Sequence, residues 1–337
     1  MSGETKSSGT IRRVKDLPKG KFKISDYTAI FAIIVLLVVF SILRPENFPT
    51  RTNMVTILRS ISVTTVLASG LTFTMSIGGL DLSAGNMASM SGYFCASFIL
   101  WYGMNQYLAI GLTIILTMML TLITMFLIIK CHIPELLATC AMMFFLEGLG
   151  LTYAGGSAIS QGLPRPSGKP AEGVFSNSFK AMGTSPTIII IMIIVVLFAY
   201  VALNHTKYGR YIYAVGGNKT AAKLSGINVE KYRLYTGMVA AAIIALAGVL
   251  MVARNTSAQV SGAASYQMPA MSAVFIGQSV LGVRKPNPFG TLVGATLVGI
   301  LDNGLVMLSV PYYALNMIKG AVLGIALIAA YANTKTD

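Results

Sequence analysis

The sequence predicts an all-α, polytopic membrane helix bundle of about ten transmembrane helices. Three observations lead there. Of 337 residues, 55% are hydrophobic and only 11% charged, against roughly 25% charged in a soluble domain. The mean hydropathy is +0.72. The charges fall between long apolar runs. A soluble core in a chain of this length cannot bury so many runs, whereas lipid accepts them as helices, whose backbone groups are satisfied internally.

The elements follow in order. Residues 1–25 form a polar tail with seven Lys and Arg, read as a solvated leader. The apolar run 27–43 is too long for a usual signal h-region and has no small-residue cleavage site after it, which predicts an uncleaved first span. Further spans are expected at 54–77, 82–102, 107–130, 134–154, 186–203, 234–253, 268–283, 288–308 and 313–331. One transmembrane domain therefore covers 26–333, followed by a short polar terminus at 334–337.

Charge orients the bundle. With the N-terminus in the cytoplasm, ten spans return the C-terminus to the same side. Seventeen Lys and Arg then lie on inside segments and seven outside, with Lys319 within the last span. Positive residues concentrate on the cytoplasmic side of membrane proteins. The net charge of +14 is thereby explained without nucleic acid.

Other chemistries lack their residues. Cys95, Cys131 and Cys140 have no CxxC spacing and, with only His132 and His205, give no metal set. No GxxxxGK[ST], GxSxG or HExxH run exists, which excludes a P-loop in this chain and leaves a membrane-embedded enzyme without support.

Two connecting segments are long. The outer one, 155–185, is rich in Gly, Pro and Ser; it reads either as a floppy connector or as a docking surface for an external partner. The inner one, 204–233, carries more information. Gly216 and Gly217 permit a sharp turn, Asn218 is a good N-cap, 220–225 can form two helical turns, and Gly226 can end them as a C′ residue. The expected product is a short capped helix between two spans. It suits either an anionic lipid surface or a partner that must push on it.

This inner segment resembles the coupling loop of ABC importer permeases, in which two alanines precede a glycine by four residues. Here Ala221, Ala222 and Gly226 match, within a stretch that continues through Ser225 and Ile227, while Thr220 stands where the usual signature has glutamate. The wording GRYIYAVGGN and LSGINV, the run 76–85 (SIGGLDLSAG) and the run 290–304 are together similar to ribose-type monosaccharide permeases. The resemblance covers most of 72–330. It implies a fold like that of the vitamin B12 importer permease, a second permease copy, two cytoplasmic ATPase subunits carrying ATP and Mg, and an external sugar-binding protein. It further implies that the loop at Gly216, Gly217, Asn218, Ala221, Ala222, Ser225, Gly226 and Ile227 docks on the ATPase. One departure stands out: where relatives carry a glycine-rich run, residues 276–287 read IGQSVLGVRKPN.

Polar residues within spans suggest a pathway. Gly78 and Gly79 break a span, and Asp81 or Ser83 can cap the next half-helix. A second glycine-containing break is expected at 276–282. Paired breaks in two halves point to a transport site; two ordinary tight turns are the plainer alternative. Intramembrane charges are costly, so Glu147, Asp302 and Lys319 each need a reason. Asp302 either pairs with Lys319 or, with Asn303 and Gln278, lines a polar path for hydroxyl-rich solute. Glycines at 290 and 294, and at 320 and 324, have the spacing that permits close helix packing. An ion-coupled secondary carrier remains a second reading, although such carriers place more acids or histidines in the membrane.

Overall fold

A computed structural model of the chain describes residues 27–171, 173–259, 261–280 and 285–331. The polar tail at 1–25, the terminus at 334–337 and the last two residues of the expected second break lie outside the described residues. Thirteen α-helices and two short strands follow in chain order among them. They are α1 (Thr28–Leu43), α2 (Arg51–Ser76), α3 (Ala84–Leu100), α4 (Gln106–Ile129), α5 (Glu135–Ala154), β1 (Ile159–Ser160), α6 (Asn177–Met182), α7 (Thr187–Tyr200), α8 (Lys207–Gly217), α9 (Lys219–Leu224), α10 (Val229–Asn255), β2 (Ser257–Ala258), α11 (Gln267–Gln278), α12 (Pro288–Met307) and α13 (Tyr312–Tyr331). A single π turn, Val201–His205, extends α7. Each of the ten apolar runs contains a helix. By length and composition, α2, α4, α5, α7 with its π turn, α10 and α12 can cross a membrane, and α1 is a shorter apolar helix.

The sorting of side chains is that of a lipid-embedded bundle. On α4 the buried positions include Thr113, Thr117, Thr121 and Thr124, while Ile115, Met119, Ile123 and Phe126 are exposed. A soluble helix would do the reverse. In hydrocarbon, outward apolar chains cost nothing, and the interior selects small groups that let backbones approach. Thr117 and Thr121 return their hydroxyls to the carbonyls of Thr113 and Thr117. The exposed rows Phe31, Ile34, Val38 and Ile42 on α1, and Ile190, Ile194 and Leu197 on α7, continue the same outward face.

Helices α2, α10 and α12 are mostly buried and form the centre with α3 and α11. Their approach depends on missing side chains. A Cβ on Gly248 of α10 would lie 2.0 Å from the carbonyl oxygen of Ala88 on α3. On α12, Cβ atoms at Gly290 and Gly294 would lie 2.1 Å from the carbonyl oxygens of Gly277 and Ala273 on α11. Close packing through Gly290 and Gly294 is therefore the geometry found. Gly320 and Gly324 on α13 differ from expectation: each faces open space, because α13 lies at the rim with its glycines turned from its neighbours.

The outer connector 155–185 is not a floppy tether. Strand β1 pairs antiparallel with β2, Ile159 opposite Ala258. Phe175 and Phe179 are buried and stacked, with centroids 5.1 Å apart. Two aromatic anchors and a strand pair hold a segment whose glycine and proline content alone suggests mobility.

Candidate functional site

The end of the bundle that carries α8 and α9 is built for contact. Thr206 caps α8 by accepting from the Gly209 N–H at 3.1 Å. Gly209, Ile212 and Val215 face inward, while Tyr208, Arg210 and Tyr211 face out. Gly216 and Gly217 are the last residues of α8, which corrects the expectation of a sharp turn there. The chain turns instead at Asn218, whose backbone is extended and whose Oδ1 accepts from the Ala221 N–H at 2.9 Å. Helix continues through the glycines because α8 packs: a Cβ on Gly216 would lie 2.2 Å from the Ser76 carbonyl oxygen. The inner segment thus holds two helices where one short helix was expected.

Helix α9 is stopped at both ends. Gly226 has φ +81°, a conformation that L side chains rarely adopt. Its N–H donates to Lys223 and the Ile227 N–H donates to Ala222, the paired bonds of a Schellman stop. Ser225 returns its hydroxyl to the Ala221 carbonyl. Ala222 is buried, whereas Ala221 is exposed and Leu224 is 84% exposed. Leu224 escaped the sequence reading, which named its neighbours Ala221, Ala222, Ser225, Gly226 and Ile227 but not the leucine between them. Its signal was a lone leucine on a two-turn polar helix whose inward position Ala222 already fills.

Helix α8, which leads into this knob, packs on the break between α2 and α3. Gly78 has φ +80°, and a Cβ there would lie 3.3 Å from the Gly216 carbonyl oxygen. Gly79 sits against the Glu135 carboxylate, which pairs with Arg233 at the start of α10. Asp81 Oδ1 accepts from both the N–H and the hydroxyl of Ser83. Asp81 therefore makes the local cap, and Ser83, the residue at the N-cap position, makes no side-chain cap of its own. Gln267 at the start of α11 donates to the Asp81 carbonyl at 2.8 Å and accepts from the Gly85 N–H. The two halves of the chain meet here through Gln267, which the sequence reading did not single out.

A second tie runs from α8 to α12. The Tyr213 hydroxyl donates to the Pro286 carbonyl at 2.8 Å, and the Lys285 ammonium lies 3.9 Å from the centroid of the Tyr213 ring. Burial raises the Tyr213 hydroxyl above the ordinary tyrosine range, with Ser76 beside it opposing, so it stays a neutral donor. Asn287 caps α12 through the Gly290 N–H.

The expected pathway residues do not form one cluster. Gly78, Gly79, Asp81 and Ser83 share the α2–α3 break. Gln278 ends α11, beside the start of α12. Asp302 and Asn303 lie near the other end of α12, about 21 Å from Pro288 at 1.5 Å per residue. There the Lys319 ammonium pairs with Asp302 at 3.0 Å, and Asn303 exchanges amide hydrogen bonds with Asn53 at 3.0 and 3.1 Å. Asp302 and Asn303 are thus engaged by neighbouring helices rather than gathered with the break. Glu147 is exposed on α5 beside Gly148, and accepts from the Ser261 hydroxyl at 3.3 Å. Among the described residues no cluster of His, Cys, Asp and Glu could hold a metal ion.

Against this geometry, residues 53–331 match the model of the branched-chain amino acid transport system / permease component family. The chain belongs to this family. It is 35% identical over 300 residues to the ribose import permease protein of Escherichia coli strain K12, covering 89% of this chain and 92% of that one. It is 34% identical over 325 residues to the ribose import permease protein of Haemophilus influenzae, covering 94% and 96%. The xylose transport system permease protein of Haemophilus influenzae is 26% identical over 362 residues, covering 92% and 96%. No solved structure matches the chain. This family member is a transport component rather than an enzyme, and a multi-pass protein of the inner membrane.

Proposed function

We propose that the chain is the membrane-spanning subunit of an ATP-driven importer for a monosaccharide of the pentose type. Its relatives are named for ribose and xylose import. The observation that carries the mechanism is the packing of α8 against the Gly78–Ser83 break, with the α9 knob and its exposed Leu224 directly following α8. A knob with an exposed leucine gives a partner something to grip. The Gly216 contact and the Tyr213 bond give its movement a path into α2 and α12.

In this reading the ten apolar helices form one bilayer-embedded bundle, both termini are cytoplasmic, and the fold is that of the vitamin B12 importer permease. Two cytoplasmic ATPase subunits bind ATP and Mg and seat α9. A second permease copy completes the pathway, and an external binding protein delivers sugar to the ordered segment 155–185. The Gly78–Ser83 segment serves as the inner gate. ATP binding draws the ATPase subunits together, the knobs move with them, and the pathway opens to one side at a time. An ion-coupled carrier has little to work with, since Asp302 is already paired with Lys319.

The test is uptake of labelled ribose and xylose into liposomes holding the chain with its co-purified ATPase, with binding protein outside. ATP-dependent uptake that Leu224→Asp abolishes supports the proposal. Uptake that needs no ATP and collapses with a protonophore overturns it.

A further inference from the structure

A groove of about 840 Å³ opens between α4 and α7, with α10 as its floor and α8 closing one end. Its walls are apolar: Ile114 and Met118 from α4, Ile194 and Phe198 from α7. Along α10 it extends from Tyr232 to Leu246, about 21 Å at 1.5 Å per residue. One leaflet of hydrocarbon is about 15 Å thick, so the groove runs the depth of a leaflet and reaches its polar boundary. The flanking faces of α4 and α7 are the exposed apolar ones, so it opens sideways toward lipid.

The α8 end differs from the rest. Tyr208, Tyr232 and Tyr235 line it, as aromatic residues line membrane boundaries. The Lys207 ammonium lies 5.5 Å from the Tyr208 centroid and the Lys231 ammonium 5.7 Å from that of Tyr235. Two cations are therefore held over rings that form the groove. Arg233 is engaged by Glu135, and the neighbouring carboxylate on α10, Glu230, is exposed. Basic pockets between helices at a membrane boundary bind anionic headgroups.

We infer that this groove is a binding site for an anionic phospholipid of the α8-side leaflet, one acyl chain lying along α10 and its phosphate between Lys207 and Lys231. The occupant is a lipid rather than a protein segment because the walls lack polar partners along their depth and the positive charge is confined to one end. The inference is independent of which solute is transported.

The experiment is native mass spectrometry of the intact permease complex equilibrated with equimolar dioleoyl phosphatidylglycerol and dioleoyl phosphatidylcholine. A Lys or Arg near an anionic surface is worth about fivefold, so wild type should retain the glycerol lipid at least about fivefold over the choline lipid. K207Q/K231Q should bring that preference to within about twofold, since both lysines are exposed and their loss leaves the bundle intact. Ala242→Phe, which fills the groove wall, should lower retention of both lipids. Equal retention of the two lipids by wild type would overturn the inference, as would an unchanged preference in K207Q/K231Q. So would disulfide cross-linking of Phe198→Cys between two copies in a chain with Cys95, Cys131 and Cys140 replaced by Ser. That outcome would make the groove a permease–permease interface.

Discussion

The Tyr213 hydroxyl donates its proton to the carbonyl oxygen of Pro286 across 73 residues of chain, tying the helix before the knob to the segment that begins α12. Pro286 accepts a longer bond, 3.4 Å, from Ser76 at the end of α2. One carbonyl thus joins α2, α8 and α12. A movement of α8 that keeps these bonds carries the ends of α2 and α12 with it.

Tyr213→Phe removes that bond and little else. The net loss in stability is about 0.5–1.5 kcal/mol. Uptake should fall several-fold while ATP hydrolysis by the complex persists, because the ATPase still grips α9. Measuring hydrolysis and uptake on the same preparation separates coupling from folding. Equal falls in both would assign Tyr213 to assembly instead.

Two adjacent glycines make a matched pair. Gly216→Ala places a Cβ 2.2 Å from the Ser76 carbonyl oxygen, whereas Gly217→Ala meets nothing within 4 Å. Gly216→Ala should destabilise by about 1–3 kcal/mol, the usual cost of overpacking, and lower uptake. Gly217→Ala, near a helix end, should be neutral or stabilise by up to about 1 kcal/mol. Thermal unfolding in detergent ranks them, and a reversed ranking would mean α8 does not rest on α2.

Leu224 is 84% exposed among the described residues. Leu224→Asp should leave thermal stability within about 0.5 kcal/mol and reduce recovery of the ATPase at least tenfold, as expected for an interface anchor. Gly226→Asp should also lose the ATPase, but through damage to the Schellman stop, since its φ is +81°. Quantitative pull-down beside circular dichroism distinguishes the two routes. Full recovery with Leu224→Asp would move the contact elsewhere.

The Asp302–Lys319 pair lends itself to a double-mutant cycle. Either Asp302→Asn or Lys319→Met strands a partly buried charge, while the double variant strands none. Coupling of about 1 kcal/mol is expected, near the low end of contacting pairs, because both side chains retain some exposure, 34% and 23%. Uptake should survive in the double variant. Its loss there, with stability restored, would return Asp302 to the solute path.

How much of this was legible in sequence divides along physical lines. Hydrophobic runs, the Asn218 cap and the Gly226 stop are local: each depends on a few consecutive residues, and each is where the sequence placed it. Family membership was likewise carried by three ordered motifs, because motif wording is itself a sequence property. The role of a glycine is not local. Gly216 and Gly217 look alike in the chain, yet one lies against Ser76 and the other faces open space. The same holds for Gly294, packed on Ala273, and Gly324, packed on nothing within reach. Polar residues inside spans divide the same way. The Asp302–Lys319 pair was one of two alternatives the sequence offered, and the structure shows it; Asn303 looks available in sequence, and only the packing of α2 on α12 shows Asn53 as its partner. Gln267, which joins the two halves at Asp81, carries no local signature at all. The sequence by itself determined that this chain lives in lipid, where its ten apolar helices lie, and which family it belongs to, since these follow from hydropathy and motif order. The tertiary structure alone decided which residues touch, and so which helix can push on which, because contacts between residues 182 or 250 positions apart are set by packing and leave no periodic trace in the chain.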